Sequence, residues 1–119
     1  MELREFFNRI KECDIDAIRV EQIEEIYKGA LPNLAKGIVS TADESLFIEN
    51  RYRVMSFKEI KYAEEEMHVT FAKERIIPFV DCMDNDFIVY DISGEGWIMY
   101  NIVDQLKFGE LTDLEQLMS

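Results

Sequence analysis

The apolar residues in the first quarter of the chain recur at the spacing of an α-helix. One set follows the i, i+3, i+4, i+7 rule and would share one helix face: Leu3, Phe6, Phe7, Ile10 and Cys13. A second set has the same spacing, with glutamates between its members and a glycine as a stop signal: Val20, Ile23, Ile26, Tyr27 and Gly29. The pattern therefore predicts two amphipathic helices. A short third helix is expected after the turn at Pro32, with Leu34 and Ile38 facing inward.

The middle of the chain mixes strand and helix signals. Two apolar runs within residues 46–55 predict a pair of strands or one long strand. Ser56 and Glu59 have the spacing of a capping box. We therefore expect a helix that begins at this point and runs to about His68 or Ala72.

From Ile76 onward the pattern is that of a sheet. Three β-rich runs are predicted to be strands: 76–80, 87–92 and 97–103. Residues 93–96 include two glycines, which tolerate positive φ, and predict a hairpin between the last two strands. Residues 105–110 are expected to add a short edge strand or a turn. Thr112 and Glu115 form a second capping box, which predicts a closing helix with three inward residues: Leu114, Leu117 and Met118.

This order of elements predicts an α+β fold in which several helices pack against an antiparallel-dominated sheet. At 119 residues the chain is expected to form one domain over 1–119, with an N-terminal helix and connector at 1–19 and a core at 20–119. A chain of this length can bury roughly two-thirds of the surface that its unfolded form exposes, which suffices for one core.

The balance of charges is strongly acidic. The chain carries 25 Asp and Glu residues against 13 Lys and Arg residues, a formal net charge of −12. Phosphate recognition needs a basic footprint, so neither direct binding to nucleic acid nor binding to an anionic membrane is predicted. A negative field would instead attract a basic protein and accelerate its association.

The apolar runs, the first residues and the two cysteines together predict the cellular compartment of the protein. No apolar run approaches the roughly 20 residues of a membrane span, and the first residues lack the pattern of a signal peptide. Cys13 and Cys82 have no metal-ligand spacing and favour free thiols of a reducing compartment, although a disulfide between them is compatible with the sequence. The cytoplasm is the expected location.

Four aspartates fall within one short part of the predicted sheet: Asp81, Asp84, Asp86 and Asp91. The segment contains no lysine or arginine, so we expect these carboxylates to crowd one end of the sheet. They would form a solvated rim or a docking site for a cationic partner. Hard cations bind carboxylate oxygens, but the spacing lacks the glycine and the closing glutamate of a calcium loop. No metal and no cofactor is predicted.

The rest of the sequence contains no motif that predicts catalysis or phosphate binding. His68 is the only histidine, the chain has no GxSxG motif, and Gly94-Glu95-Gly96 is too short for a phosphate-binding loop. No catalytic residue is predicted, and the chain is not expected to be an enzyme. Trp97 belongs to an aromatic group at strand spacing, which predicts core packing. The alternative is that one of these rings anchors a partner.

A series of short segments follows in order along the chain: the helix at 23–27, Leu31-Pro32, Ile77-Pro78-Phe79, Asp84 and Asp86, the strand at 87–91, the hairpin into 97–100, and the helix at 112–118. In their order and spacing, over roughly residues 20–119, these segments resemble the SUKH superfamily. That superfamily includes fungal cell-wall regulators of the Smi/Knr type and many bacterial proteins.

The resemblance implies a non-enzymatic binding domain, and most bacterial members look like immunity proteins that neutralise a toxin, often a nuclease. Our hypothesis is that the chain binds a basic toxin domain and occludes its active site, through these contacts: Asp81, Asp84, Asp86, Glu95 and the aromatic anchor Trp97. Two alternatives stay open. One is an intracellular regulatory scaffold, and the other is a metal-dependent hydrolase that uses Asp81, Asp84 and Asp86. Exposed strand edges would also allow a homodimer.

Overall fold

The computed structural model describes residues 1–119 and contains seven helices and one six-stranded antiparallel sheet. The helices are α1 (Leu3–Glu12), α2 (Ala17–Tyr27), α3 (Asn33–Thr41), α4 (Phe57–Lys61), α5 (Ala63–Met67), α6 (Phe71–Glu74) and α7 (Leu114–Met118). The strands are β1 (Leu46–Ile48), β2 (Tyr52–Val54), β3 (Ile76–Asp81), β4 (Asp86–Asp91), β5 (Gly96–Asn101) and β6 (Leu106–Thr112). The predicted α+β fold with an antiparallel sheet is confirmed. No helix combines the length and the apolar character that crossing a bilayer requires.

The sheet is a meander in which every strand pairs with its neighbour along the chain. The β1–β2, β3–β4 and β5–β6 turns therefore lie at one end of the sheet, and the β4–β5 turn lies at the other. In β3, five consecutive residues, 76–80, are buried. Because successive side chains of a strand point to opposite faces, both faces of this central strand are covered.

The first two predicted helices are present. The predicted face of α1 is buried at Phe6, Phe7 and Ile10. Helix α2 begins after Asp16, whose carboxylate accepts hydrogen bonds from two backbone N–H groups of the first turn. It ends because Lys28 adopts the left-handed conformation (φ 56°), and not at Gly29 as the sequence suggested.

Helices α1 and α3 cross at a glycine. A Cβ atom built on Gly37 would lie 2.2 Å from the carbonyl oxygen of Ile10, so any side chain there would force the two helices apart. Three apolar residues of α3 that surround this crossing are fully buried: Ala35, Ile38 and Val39. The crossing positions α1 against the rest of the protein.

The single helix predicted from Ser56 to His68 or Ala72 is wrong. The capping box of Ser56 and Glu59 is present, but α4 ends at Lys61. A second short helix, α5, follows and ends where His68 adopts a left-handed conformation (φ 57°). Ala72 belongs to a separate helix, α6.

Two local predictions near the C-terminal strands need correction. The hairpin at 93–96 is present, but the residue with positive φ is Glu95 (φ 54°) and neither of its glycines. The N-cap of α7 is Asp113 and not Thr112, because the carboxylate of Asp113 accepts a hydrogen bond from the backbone N–H of Gln116 at 2.9 Å. The predicted edge strand at 105–110 is present as β6 and extends to Thr112.

One hydrophobic core unites the helices and the sheet. A single cluster of 31 buried apolar residues includes Phe6 and Ile10 of α1 together with Leu114 and Met118 of α7. The segment 1–19 therefore packs into the same core as residues 20–119. Since burial of one such side chain contributes on the order of 1.5–3 kcal/mol, the helix at 3–12 is an integral part of the fold.

Candidate functional site

The acidic residues predicted to cluster lie at two opposite ends of the sheet. Asp81 and Asp86 flank the β3–β4 turn, which contains Asp84. Asp91 lies at the far end of β4, next to the β4–β5 turn that contains Glu95. A strand rises about 3.4 Å per residue, so about 17 Å of β4 separates Asp86 from Asp91. The expectation that all four aspartates crowd one end is therefore wrong for Asp91.

Asp81 is neutralised by a residue that is distant in sequence. Its carboxylate lies 3.2 Å from the guanidinium of Arg53, which also pairs with Glu59. Burial disfavours the charge of Glu59, but hydrogen bonds from Ser45, from the backbone of Ser56 and from Arg53 hold its pKa below the ordinary value. This network ties β2, β3 and α4 together, so Asp81 has a structural role.

The other two aspartates at the β3–β4 turn differ from Asp81, because neither takes part in an ion pair. Asp86 accepts a hydrogen bond from the side-chain amide of Asn101 at 2.9 Å, and Asp84 is exposed at the tip of the turn without an ion pair. Between them and Asp81, burial and then the charges of Asp81 and Asp86 raise the pKa of Cys82 to about 12. The thiol is therefore protonated at neutral pH and a poor nucleophile.

Three turns meet at this end of the sheet. The backbone N–H of Ile102, in the β5–β6 turn, donates a hydrogen bond at 3.0 Å to the carbonyl of Asn85, in the β3–β4 turn. We name the surface formed by residues 49–51, 82–86 and 102–105 the acidic turn end. It carries the exposed carboxylates of Glu49, Asp84 and Asp104.

Apolar side chains are exposed among the carboxylates of the acidic turn end. Met83 is 40% exposed and Val103 is 68% exposed. The one basic residue of this surface, Arg51, lies over the ring of Tyr52 with 4.9 Å between its guanidinium carbon and the ring centroid. Apolar groups within a charged border are the usual composition of a protein-binding surface.

The opposite end of the sheet contains a buried aspartate. Asp91 is 5% exposed, accepts a hydrogen bond from the backbone N–H of Gly94 at 3.0 Å, and lies 3.0 Å from the ammonium of Lys107. Burial disfavours its charge, but these two partners hold the pKa of Asp91 below the ordinary value. Asp91 therefore closes the β4–β5 turn and connects it to β6.

Trp97 lies beside a surface depression at that same end. Its indole packs against Phe79 and Tyr90, with ring centroids 5.2 Å and 5.4 Å away, and is 5% exposed. We name the adjoining cavity of about 460 Å³ the tryptophan depression; its lining is Pro32, Tyr90, Gly94, Glu95, Gly96, Trp97, Leu111, Thr112 and Asp113. Two predicted contact residues, Glu95 and Trp97, thus share one cavity, away from the three aspartates at the acidic turn end.

The strand β6 is a free edge of the sheet, and none of its residues was among the predicted contact residues. It pairs only with β5, and three of its apolar residues are exposed: Leu106 by 64%, Phe108 by 43% and Leu111 by 45%. The alternation of Leu106 and Phe108 was the available signal. The predicted homodimer through a strand edge stays a prediction, for which β6 is the longer of the two free edges.

The residues with catalytic potential are dispersed. His68 is exposed on the loop after α5, and Cys13 and Cys82 are free thiols. No group of three or more His, Cys, Asp or Glu side chains has a geometry that could hold a metal ion. Asp81 and Asp86, two of the three carboxylates of the hydrolase alternative, are already bound to Arg53 and Asn101.

Comparison with known proteins gives no match: no family model fits the chain, and no curated protein or solved structure is significantly similar to it.

Proposed function

We propose that this chain is a non-enzymatic binding domain for a basic protein partner, and that the acidic turn end is its docking surface. The observation that carries the proposal is the mixture of exposed apolar and acidic side chains there: Met83 and Val103 lie on the same surface as Asp84 and Asp104. Apolar groups would supply the desolvated centre of the interface, and the carboxylates would surround it.

The charge of the whole protein supports a basic partner. Six of its 25 acidic side chains take part in ion pairs, so the charges of most carboxylates are not neutralised and contribute to a negative field around the protein. Such a field steers a cationic protein toward the surface before contact. The resemblance to the SUKH superfamily suggests the biological role, which is that of an immunity protein that covers the basic active site of a toxin.

The test is to co-express the chain with the product of a neighbouring gene and to measure association of the purified pair. The association rate should fall about tenfold or more between roughly 50 and 500 mM salt, because salt screens the attraction between the two surfaces. The double variant Asp84→Asn/Asp104→Asn should lower the rate at low salt and reduce its salt dependence.

A matched control changes the same amount of charge elsewhere. Glu65→Gln/Glu66→Gln alters two exposed carboxylates of α5, which lies outside the acidic turn end, and should leave most of the association rate unchanged. Equal effects of the two double variants would mean that net charge alone acts. An association rate that ignores salt would refute electrostatic docking.

A further inference from the structure

The tryptophan depression contains two polar aromatic groups that have no hydrogen-bond partner within the protein. The side chains of Tyr90 and Trp97 belong to residues that are 7% and 5% exposed. Every fully buried polar side-chain atom of the protein is hydrogen-bonded, so the free Tyr90 hydroxyl and Trp97 Nε1–H must reach solvent. The tryptophan depression is the one cavity that either residue lines.

Two carboxylates border these donors. Glu95 is exposed on the β4–β5 turn and takes part in no ion pair, and Asp113 uses one oxygen, Oδ1, to cap α7. Burial, followed by the charges of Glu95 and Asp91, raises the pKa of Tyr90, so its hydroxyl stays protonated at neutral pH. The cavity thus presents negative charge beside hydrogen-bond donors.

This combination selects a ligand with two properties. The carboxylates require a cation, whereas the Tyr90 hydroxyl and the Trp97 N–H require a nearby acceptor oxygen. A basic residue within a peptide provides both, since its side chain is cationic and its flanking carbonyls accept hydrogen bonds. Arginine suits the site better than lysine, because a guanidinium is planar, more weakly hydrated and able to bind a carboxylate with two parallel hydrogen bonds.

We propose that the tryptophan depression binds an arginine side chain from a basic segment of the partner, with Glu95 pairing with the guanidinium and Tyr90 and Trp97 donating to peptide carbonyls. This inference rests on the proposed function, because it assigns a second contact to the same partner. The cavity volume of about 460 Å³ accommodates one long side chain and the adjoining peptide groups.

The experiment uses the isolated protein and a short peptide, acetyl-Gly-Arg-Gly-amide. Trp97 is the only tryptophan, so its fluorescence reports on this cavity directly. Titration should give a saturable change. The peptide with citrulline in place of arginine, which has a similar shape but no charge, should bind about tenfold more weakly or worse.

Variants locate the binding within the cavity. Glu95→Gln should weaken arginine-peptide binding about fivefold or more, and Tyr90→Phe, which keeps the ring, about fivefold through loss of one hydrogen bond. Glu65→Gln is the control, because it removes one exposed charge of α5, which lies outside both the tryptophan depression and the acidic turn end. It should leave peptide binding within about twofold of the unaltered protein.

The inference is overturned by a titration without saturation, by equal binding of the arginine and citrulline peptides, or by Glu95→Gln binding as tightly as the unaltered protein. Circular dichroism of each variant verifies that it is folded. The peptide titration requires no partner, whereas the docking test measures the association rate of Asp84→Asn/Asp104→Asn with the partner protein. Either proposal can therefore fail without the other.

Discussion

The hairpins β4–β5 and β5–β6 have the same turn geometry but different sequences. In each, the last residue of the first strand accepts a hydrogen bond from a backbone N–H of the turn: Asp91 from Gly94 at 3.0 Å, and Asn101 from Asp104 at 2.9 Å. Each turn ends in a left-handed residue with φ of 54°, which is Glu95 in one and Gln105 in the other. The second turn contains no glycine.

The second turn, which has no glycine, shows that this turn geometry does not require one. An Asp or Asn side chain that mimics a backbone acceptor is sufficient. Gly94 serves packing instead, because a Cβ atom on it would lie 2.6 Å from Cδ1 of Leu111. The first turn is therefore held against β6 and builds the tryptophan depression, whereas the second projects Val103 and Asp104 from the acidic turn end.

The largest expected difference between the hairpins is the cost of removing the residue that closes each turn. Asp91→Ala should lower the free energy of unfolding by about 2–3 kcal/mol, because it removes a buried charged acceptor and leaves Lys107 without its partner. Asn101→Ala should cost about 1 kcal/mol, since its site is more open to water. Urea denaturation measures both, and equal costs would contradict the comparison.

The second difference concerns pH. The pKa of Asp91 in the folded protein is below its unfolded value, so its contribution is present above the unfolded pKa of about 4 and is lost as pH falls through the folded pKa. Urea midpoints recorded between roughly pH 5 and pH 2 should decline less steeply in Asp91→Asn than in the unaltered protein. Asn101 has no such charge, so Asn101→Ala should leave the slope unchanged. Parallel slopes for Asp91→Asn and the unaltered protein would refute the role assigned to the charge.

The smallest expected effect is the stability cost of substituting a glycine, which arises from side-chain packing at Gly94 and from backbone conformation at Gly109. Gly94→Ala should cost about 0.5 kcal/mol or less, because only the end of the half-exposed Leu111 side chain must move, and this cost should largely vanish in a Leu111→Ala background. The control is Gly109→Ala in β6. Gly109 has φ of +80° and open space around it, so its cost of about 1 kcal/mol comes from the backbone and should persist in both backgrounds. Thermal or urea unfolding is measured for both glycine substitutions in the unaltered protein and in Leu111→Ala, together with these two parents. If the cost of Gly94→Ala is the same in both backgrounds, packing against Leu111 is not its cause.

Local patterns predicted the elements of this fold well. The face of α1, the capping box at Ser56 and the hairpin at 93–96 each depend on residues within a few positions of one another, and the structure contains all three. Errors arose where two neighbouring signals competed. Asp113 replaced Thr112 as the N-cap because either side chain could accept the same kind of hydrogen bond.

The candidate site was less predictable because it depends on contacts between distant residues. Asp81 and Asp91 looked alike in the sequence, yet their partners Arg53 and Lys107 lie on other strands. The spacing of Asp86 and Asp91 equals one strand length, so the antiparallel meander places them at opposite ends. The register of β5 and β6, which pairs Trp97 with Thr112, was needed to place Leu111 and Asp113 beside Glu95 and Trp97.

The order of strands in the sheet has a consequence for biosynthesis. Since each strand pairs with the one made just before it, the sheet can grow one hairpin at a time while the ribosome is still translating. The elements β6 and α7, which supply Leu111 and Asp113, follow the other five strands along the chain. Strands β1 to β5 can thus pair before the cavity beside Trp97 exists, and the fluorescence of that indole would report when β6 and α7 pack beside it.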